Sequence, residues 1–75
     1  MPKIDEIFAF VADDDEGEGI VGFLAPNGQW MPLVGADFKR VDSLRPIAKD
    51  IAQTSGKVVR LLRFSVREER EIIQP

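Results

Sequence analysis

Ile20-Val21-Gly22-Phe23-Leu24-Ala25-Pro26-Asn27-Gly28-Gln29-Trp30-Met31-Pro32-Leu33-Val34 is two short β-forming runs around a turn. Asn27-Gly28 at its centre is the strongest short-range hairpin signal, because both central residues of a type I′ turn need positive φ. With that turn, opposed residues have numbers summing to 55. Ala25 then faces Trp30, Phe23 faces Pro32 and Val21 faces Val34 on one side of the sheet, with Leu24 opposite Met31 and Gly22 opposite Leu33 on the other. Pro32 cannot donate to a ladder, which sends the returning strand to a sheet edge.

Upstream, Ile7-Phe8-Ala9-Phe10-Val11-Ala12 is an unbroken apolar run of strand length and predicts a central strand. The acids Asp13 to Glu16 end it, and Gly17 and Gly19 complete a reversal from Asp13 to Gly19. Downstream, Asp42-Ser43 offers helix-capping side chains, and Pro46 is tolerable in a first turn. Leu44, Ile47, Ala48, Ile51 and Ala52 form a single-face stripe, and Gly56 stands where a helix would stop, which predicts a helix over 43–54. Lys57 to Arg67 reads as a long strand. From Glu68 to Ile73 a capping box at Ser65 and Glu68 competes with a bend or bulge and continuing strand; the apolar residues make no helical stripe, which favours the second. The expected fold is α+β in two layers: an antiparallel β-β-β-α-β meander, with a possible short fifth strand and one helix on one face.

Seventy-five residues predict one domain, near the lower limit for folding alone. Cysteine and histidine are both absent. Neither disulfides nor ordinary zinc sites can then supplement a small core, and oligomerisation is the remaining supplement. With no charged leader followed by an apolar segment and no run of membrane-span length, a soluble cytoplasmic protein without membrane association is expected. The net charge of −3 divides unevenly. Residues 1–37 hold eight acids against Lys3, a balance of −7, whereas residues 38–75 hold nine bases against five acids, a balance of +4. Such halves either pair within one fold or complement each other between copies.

Familiar chemistry finds little purchase. Asp13-Asp14-Asp15-Glu16-Gly17-Glu18 invites a calcium loop, but the sixth position from Asp13 is Glu18 and the twelfth is Leu24, where Gly and Glu are needed. A solvated acidic turn is the preferred reading, with weak, non-specific divalent-cation binding beside it; a weak divalent-cation or small-ligand binder is a second alternative function for the chain. Gly17 to Gly22 matches G-x-G-x-x-G, yet a strand follows where a dinucleotide site requires a helix. Without His, Cys or Tyr, and with no Ser or Thr in a nucleophile motif, no enzyme is expected and no cofactor is implied. Arg63 and Arg67 share a strand face near Lys57 and Arg60, but the acidic balance and the absence of an aromatic platform argue against nucleic acid.

The strands carry apolar residues on both faces: Ile7, Ala9 and Val11 lie opposite Phe8, Phe10 and Ala12, and Val58, Leu62, Phe64 and Val66 lie opposite Val59 and Leu61. A sheet with one wet face should alternate, and one three-turn helix covers only one side. The uncovered side predicts a self-associating or protein-binding module, a homodimer or a complex with another protein, with Trp30, Leu33, Phe23, Ile7 and Val11 as candidate interface residues. The order of elements, with an acidic-glycine reversal after the first strand, resembles the N-terminal domain of HicB-like antitoxins. That resemblance implies toxin binding and oligomerisation, and makes a nucleic-acid-associated regulatory module the alternative function.

Overall fold

The computed structural model describes residues 3–75 and shows an α+β arrangement of antiparallel sheets with one helix packed against them. The strands are β1 (Ile7–Asp14), β2 (Gly17–Ile20), β3 (Gly22–Leu24), β4 (Trp30–Pro32), β5 (Val34–Gly35) and β6 (Val59–Phe64); the helix α1 (Phe38–Ser55) lies between β5 and β6. As the apolar run predicts, β1 is central. It pairs with β6 along one edge, from Ile7 opposite Phe64 to Ala12 opposite Val59. Its other edge is shared: β2 takes the second half, with Val11 opposite Ile20, and β5 takes the first, with Ala9 opposite Val34.

The expected second and third strands are each broken in the middle, at Val21 and Leu33. Those two residues meet at Phe10. The Phe10 N–H donates to the Leu33 carbonyl at 3.0 Å, the Phe10 carbonyl accepts from Val21 N–H at 2.9 Å, and Leu33 N–H donates to the Val21 carbonyl at 2.9 Å. Every backbone group that the branching would orphan is thereby paired, which is what allows a fork inside a buried layer. Beyond it, β3 and β4 continue as a separate two-stranded ribbon.

The hairpin register differs from the expected one by a single residue. Gly22 lies opposite Pro32, Phe23 opposite Met31 and Leu24 opposite Trp30, so the numbers sum to 54. The cause is Pro26, whose ring holds φ near −65° and favours the first central position of a type I turn. Gly28 N–H closes that turn on the Ala25 carbonyl at 2.9 Å, Gly28 alone takes positive φ (84°), and Ala25 N–H then pairs with the Gln29 carbonyl at 2.8 Å. Asn27 contributes its side chain, whose Oδ1 accepts from Gln29 N–H at 3.0 Å. The loop is the three-residue form with a glycine bulge rather than type I′. A shift of one residue exchanges the partners across the ribbon. Val21, Phe23 and Leu33 consequently turn together toward the core.

α1 begins at Phe38, five residues before the expected start. Asp37 caps it: its backbone is extended and its Oδ1 accepts from Arg40 N–H at 2.9 Å. Ser43, expected as a cap, instead donates its hydroxyl to the Arg40 carbonyl at 2.6 Å. Pro46 therefore sits inside the helix, where it removes the donor for the Asp42 carbonyl. Both residues are exposed, so water can serve that carbonyl. The early start adds Val41 to the inward stripe and brings the Phe38 ring to 4.8 Å from that of Phe8. At the far end Gly56, with φ 72°, closes the helix by donating to the Ala52 carbonyl, as expected.

The core consists of Phe8, Phe10, Leu33, Val41, Leu44 and Ala48, with Val21, Phe23, Ile47, Ile51 and Val59 against it. α1 thus covers the Phe8–Phe10 face of β1. β6 ends at Phe64, and residues 65–75 form neither strand nor turn, so the possible fifth strand is not found. No helix among the described residues is long and apolar enough to cross a membrane.

Two substitutions separate packing from capping. Leu33, fully buried at the fork, should lose about 2–5 kcal/mol on replacement by Ala, and Asp37→Ala about 1 kcal/mol. Urea unfolding monitored by fluorescence should show the first effect as clearly the larger; equal losses would contradict the placement of Leu33.

Candidate functional site

The helix takes one face of the sheet and leaves the other. On the open face the register aligns Ile7 with Phe64, Ala9 with Leu62 and Val34, and Val11 with Ile20 and Arg60. Among the described residues, no element above them plays the part that α1 plays below. Ile7 is 41% exposed, Phe64 51% and Ile20 56%, while the small Ala9 and Val11 between them are shielded by their neighbours. At one end the strip deepens into a groove of about 260 Å³ lined by Ile4, Ile7, Phe64 and Val66 among others. The groove forms because the segments before β1 and after β6 run past this end of the sheet.

Of the residues expected at an interface, the structure joins some and withdraws others. Ile7 lies on the open strip. Val11 is on the same face but 3% exposed, so it forms the floor of the surface rather than a contact. Leu33, at 0%, and Phe23, packed against the core, belong beneath the ribbon: the one-residue register change that sets them beside Val21 removes them from the surface. Trp30 is 65% exposed but sits on the ribbon, across β1 from the strip. Phe64 and Leu62 are the residues the expectation missed. Their alternation with Arg63 and Leu61 was visible in the sequence, but which parity the helix covers was not.

Trp30 has its own local setting. A Cβ built on Gly22 would lie 2.6 Å from the Trp30 Nε1 and 2.9 Å from the Met31 carbonyl oxygen, so the indole rests directly over the glycine. Around it lies a second open groove of about 270 Å³ reaching Asp13, Asp14, Ile51 and Lys57. Among the described residues no three carboxylates converge as a metal would require. The G-x-G-x-x-G match occupies β2 and the fork, and no helix opens there.

Charge in the two halves of the sequence meets across β1. Arg60 Nη1 lies 3.0 Å from Asp13 Oδ2, and Arg63 Nη1 lies 3.8 Å from Glu6 Oε2. Both pairs are exposed and each contributes at most about 1 kcal/mol. They nevertheless hold the arginines toward β1 from opposite faces of β6, since Arg60 is aligned with Val11 and Arg63 with Phe8. The strand therefore offers its arginines as no single basic stripe.

Gly22→Ala should force the indole and the neighbouring backbone apart, at about 1–3 kcal/mol. Trp30 is the chain's one tryptophan, so its emission maximum should move to longer wavelength; an unchanged spectrum would refute the stacking. No protein-family model matches the chain, and no match is found for it among curated proteins or solved structures.

Proposed function

We propose that this chain is a non-enzymatic module that associates with a second copy of itself through the β1–β6 side of its sheet. The observation that carries the reading is the uncovered strip of Ile7, Leu62 and Phe64, opposite the helix and continuous with the groove at Ile4 and Val66. Apolar patches of more than a few hundred Å² are uncommon on monomers and tend to mark interaction surfaces. A standard interface removes roughly 800 Å² from each partner. The strip supplies an apolar centre for such an area, with the Arg60–Asp13 pair at its margin as a polar rim.

The chain's chemistry favours association over catalysis. It has no His, Cys or Tyr, and its acidic cluster, Asp13 to Glu18, lies exposed, without the burial on which acid–base work by paired carboxylates depends. Among the described residues the buried cluster against the helix holds six side chains, which is small for a free-standing domain, and a second copy would enlarge the buried apolar area.

Light scattering over a dilution series tests the reading. The expected mass is about twice 8.4 kDa. Leu62→Asp, checked for folding by its Trp30 fluorescence, and the exposed-site change Phe64→Ser should both move the mass toward the monomer, while Trp30→Ala, across β1, should leave it unchanged. A wild-type protein that stays monomeric at the highest concentration reached overturns self-association.

A further inference from the structure

β6 pairs with β1 along one edge, and among the described residues no strand occupies its other edge. Along this six-residue edge the N–H and C=O groups of alternate residues point away from β1, and such an edge is a template for another strand unless something covers it. The chain that continues from it is exposed from Ser65 to Pro75 without strand, helix or turn. Even so it carries Val66, Ile72 and Ile73, exposed at 96%, 68% and 84%, all β-branched residues that favour strands. The Cα radius of gyration is 14.3 Å, against about 11 Å for a compact chain of this length. A body with a projecting arm has this excess.

Building on self-association, we propose that this arm pairs with β6 of a second copy, each copy giving its arm to the other in an antiparallel register with Arg67 opposite the partner's Arg67. A two-fold axis then passes between the two Arg67 residues, so the exchange is reciprocal and closed. Leu62 comes to lie opposite the partner's Ile72, and Leu61 opposite the partner's Ile73. Arg63 faces the partner's Glu71, and Phe64 faces the partner's Arg70, whose guanidinium can lie against the ring. Apolar pairs and opposite charges directly across a ladder both stabilise it. The paired Arg67 residues on the axis are the cost of this register, and the partner's Glu69, diagonal to each, offsets it.

Neighbouring registers with the same face alternation do worse. Moving the axis to Val66 sets Leu61 and Leu62 against the partner's Glu71 and Arg70. An axis at Glu68 sets them against Pro75 and Gln74, and Pro75 has no N–H to donate. Only the Arg67-centred pairing matches both leucines with both isoleucines and gives Arg63 a carboxylate. Complementarity along the strand identifies the occupant: the sequence that leaves the edge open also supplies, eleven residues on from Leu61 and Leu62, a segment that fits it.

Because the chain has no cysteine, single cysteines report the register directly. Opposed Cα atoms in an antiparallel pair are about 4.5–5.5 Å apart, within the range a disulfide spans. On mild oxidation Arg67→Cys should convert mainly to a covalent dimer, while Ser65→Cys and Glu69→Cys should remain largely uncoupled. In the double variant Leu62→Cys with Ile72→Cys, the disulfide should join two chains. A product of monomer mass would show the arm folding back on its own β6 and would overturn the exchange, as would stronger coupling at Glu68→Cys than at Arg67→Cys. If Arg67→Cys fails to couple while light scattering still reports a dimer, the arm is excluded and self-association through the sheet face stands. If the protein is also monomeric, both fail together.

Discussion

Three backbone hydrogen bonds at Phe10 hold the architecture together. Phe10 gives its N–H to Leu33 and its carbonyl to Val21, and Leu33 and Val21 are joined to each other. The triangle lets one central strand accept two short strands end to end on a single edge, and it launches the β3–β4 ribbon without leaving a buried amide unpaired. It also fixes which side chains enter the core. Val21 and Leu33 must share the face of Phe10, so Phe23, two residues further on, follows them inward and Leu24 and Trp30 are turned outward. The helix then has one possible seat, against Phe8, Phe10 and Leu33, with Val41, Leu44 and Ala48 as its contact stripe.

That seat determines the rest of the surface. Once α1 lies on the Phe8–Phe10 face, the alternation of β1 and β6 leaves Ile7, Leu62 and Phe64 on the other. The charges follow the same geometry. Asp13 and Glu6 flank the arginines of β6, so the opposed halves of the sequence are partly reconciled inside one chain instead of being free for a distant partner. Self-association thus finds stronger support in apolar strand surface, and in the matched sequence of β6 and its arm, than in the gross charge division.

The helix shows how a local signal can be outweighed. Asp42-Ser43 followed by Pro46 is a sound sequence pattern for a helix start, and Pro46 inside a helix costs about 3 kcal/mol. Asp37 nevertheless caps the helix. Starting there buries Val41 completely and sets the Phe38 ring against that of Phe8; burial of Val41, at about 1.5–3 kcal/mol, together with an aromatic contact of about 0.5–1.5 kcal/mol, offsets the lost hydrogen bond. The turn at 26–28 teaches a similar lesson at smaller scale. Asn27-Gly28 taken alone favours type I′, but the adjacent Pro26 restricts φ and selects type I with a bulge.

Much of the fold is local in origin and was therefore present in the sequence. The apolar run Ile7–Ala12 could only be a central strand, the Leu44–Ala52 stripe required a helix, and Gly56 marked its end, because each depends on periodicity or on the conformation of a few adjacent residues. The α+β class follows from their order. What the sequence left open depended on contacts between distant segments: the fork at Phe10, the face that α1 covers, and hence whether Leu33 or Phe64 meets solvent. A strand with apolar residues on both faces has no internal signal for its buried side. Only the competition among Val21, Leu33 and α1 for the space over Phe10 decides it, and that competition exists only once the chain has folded.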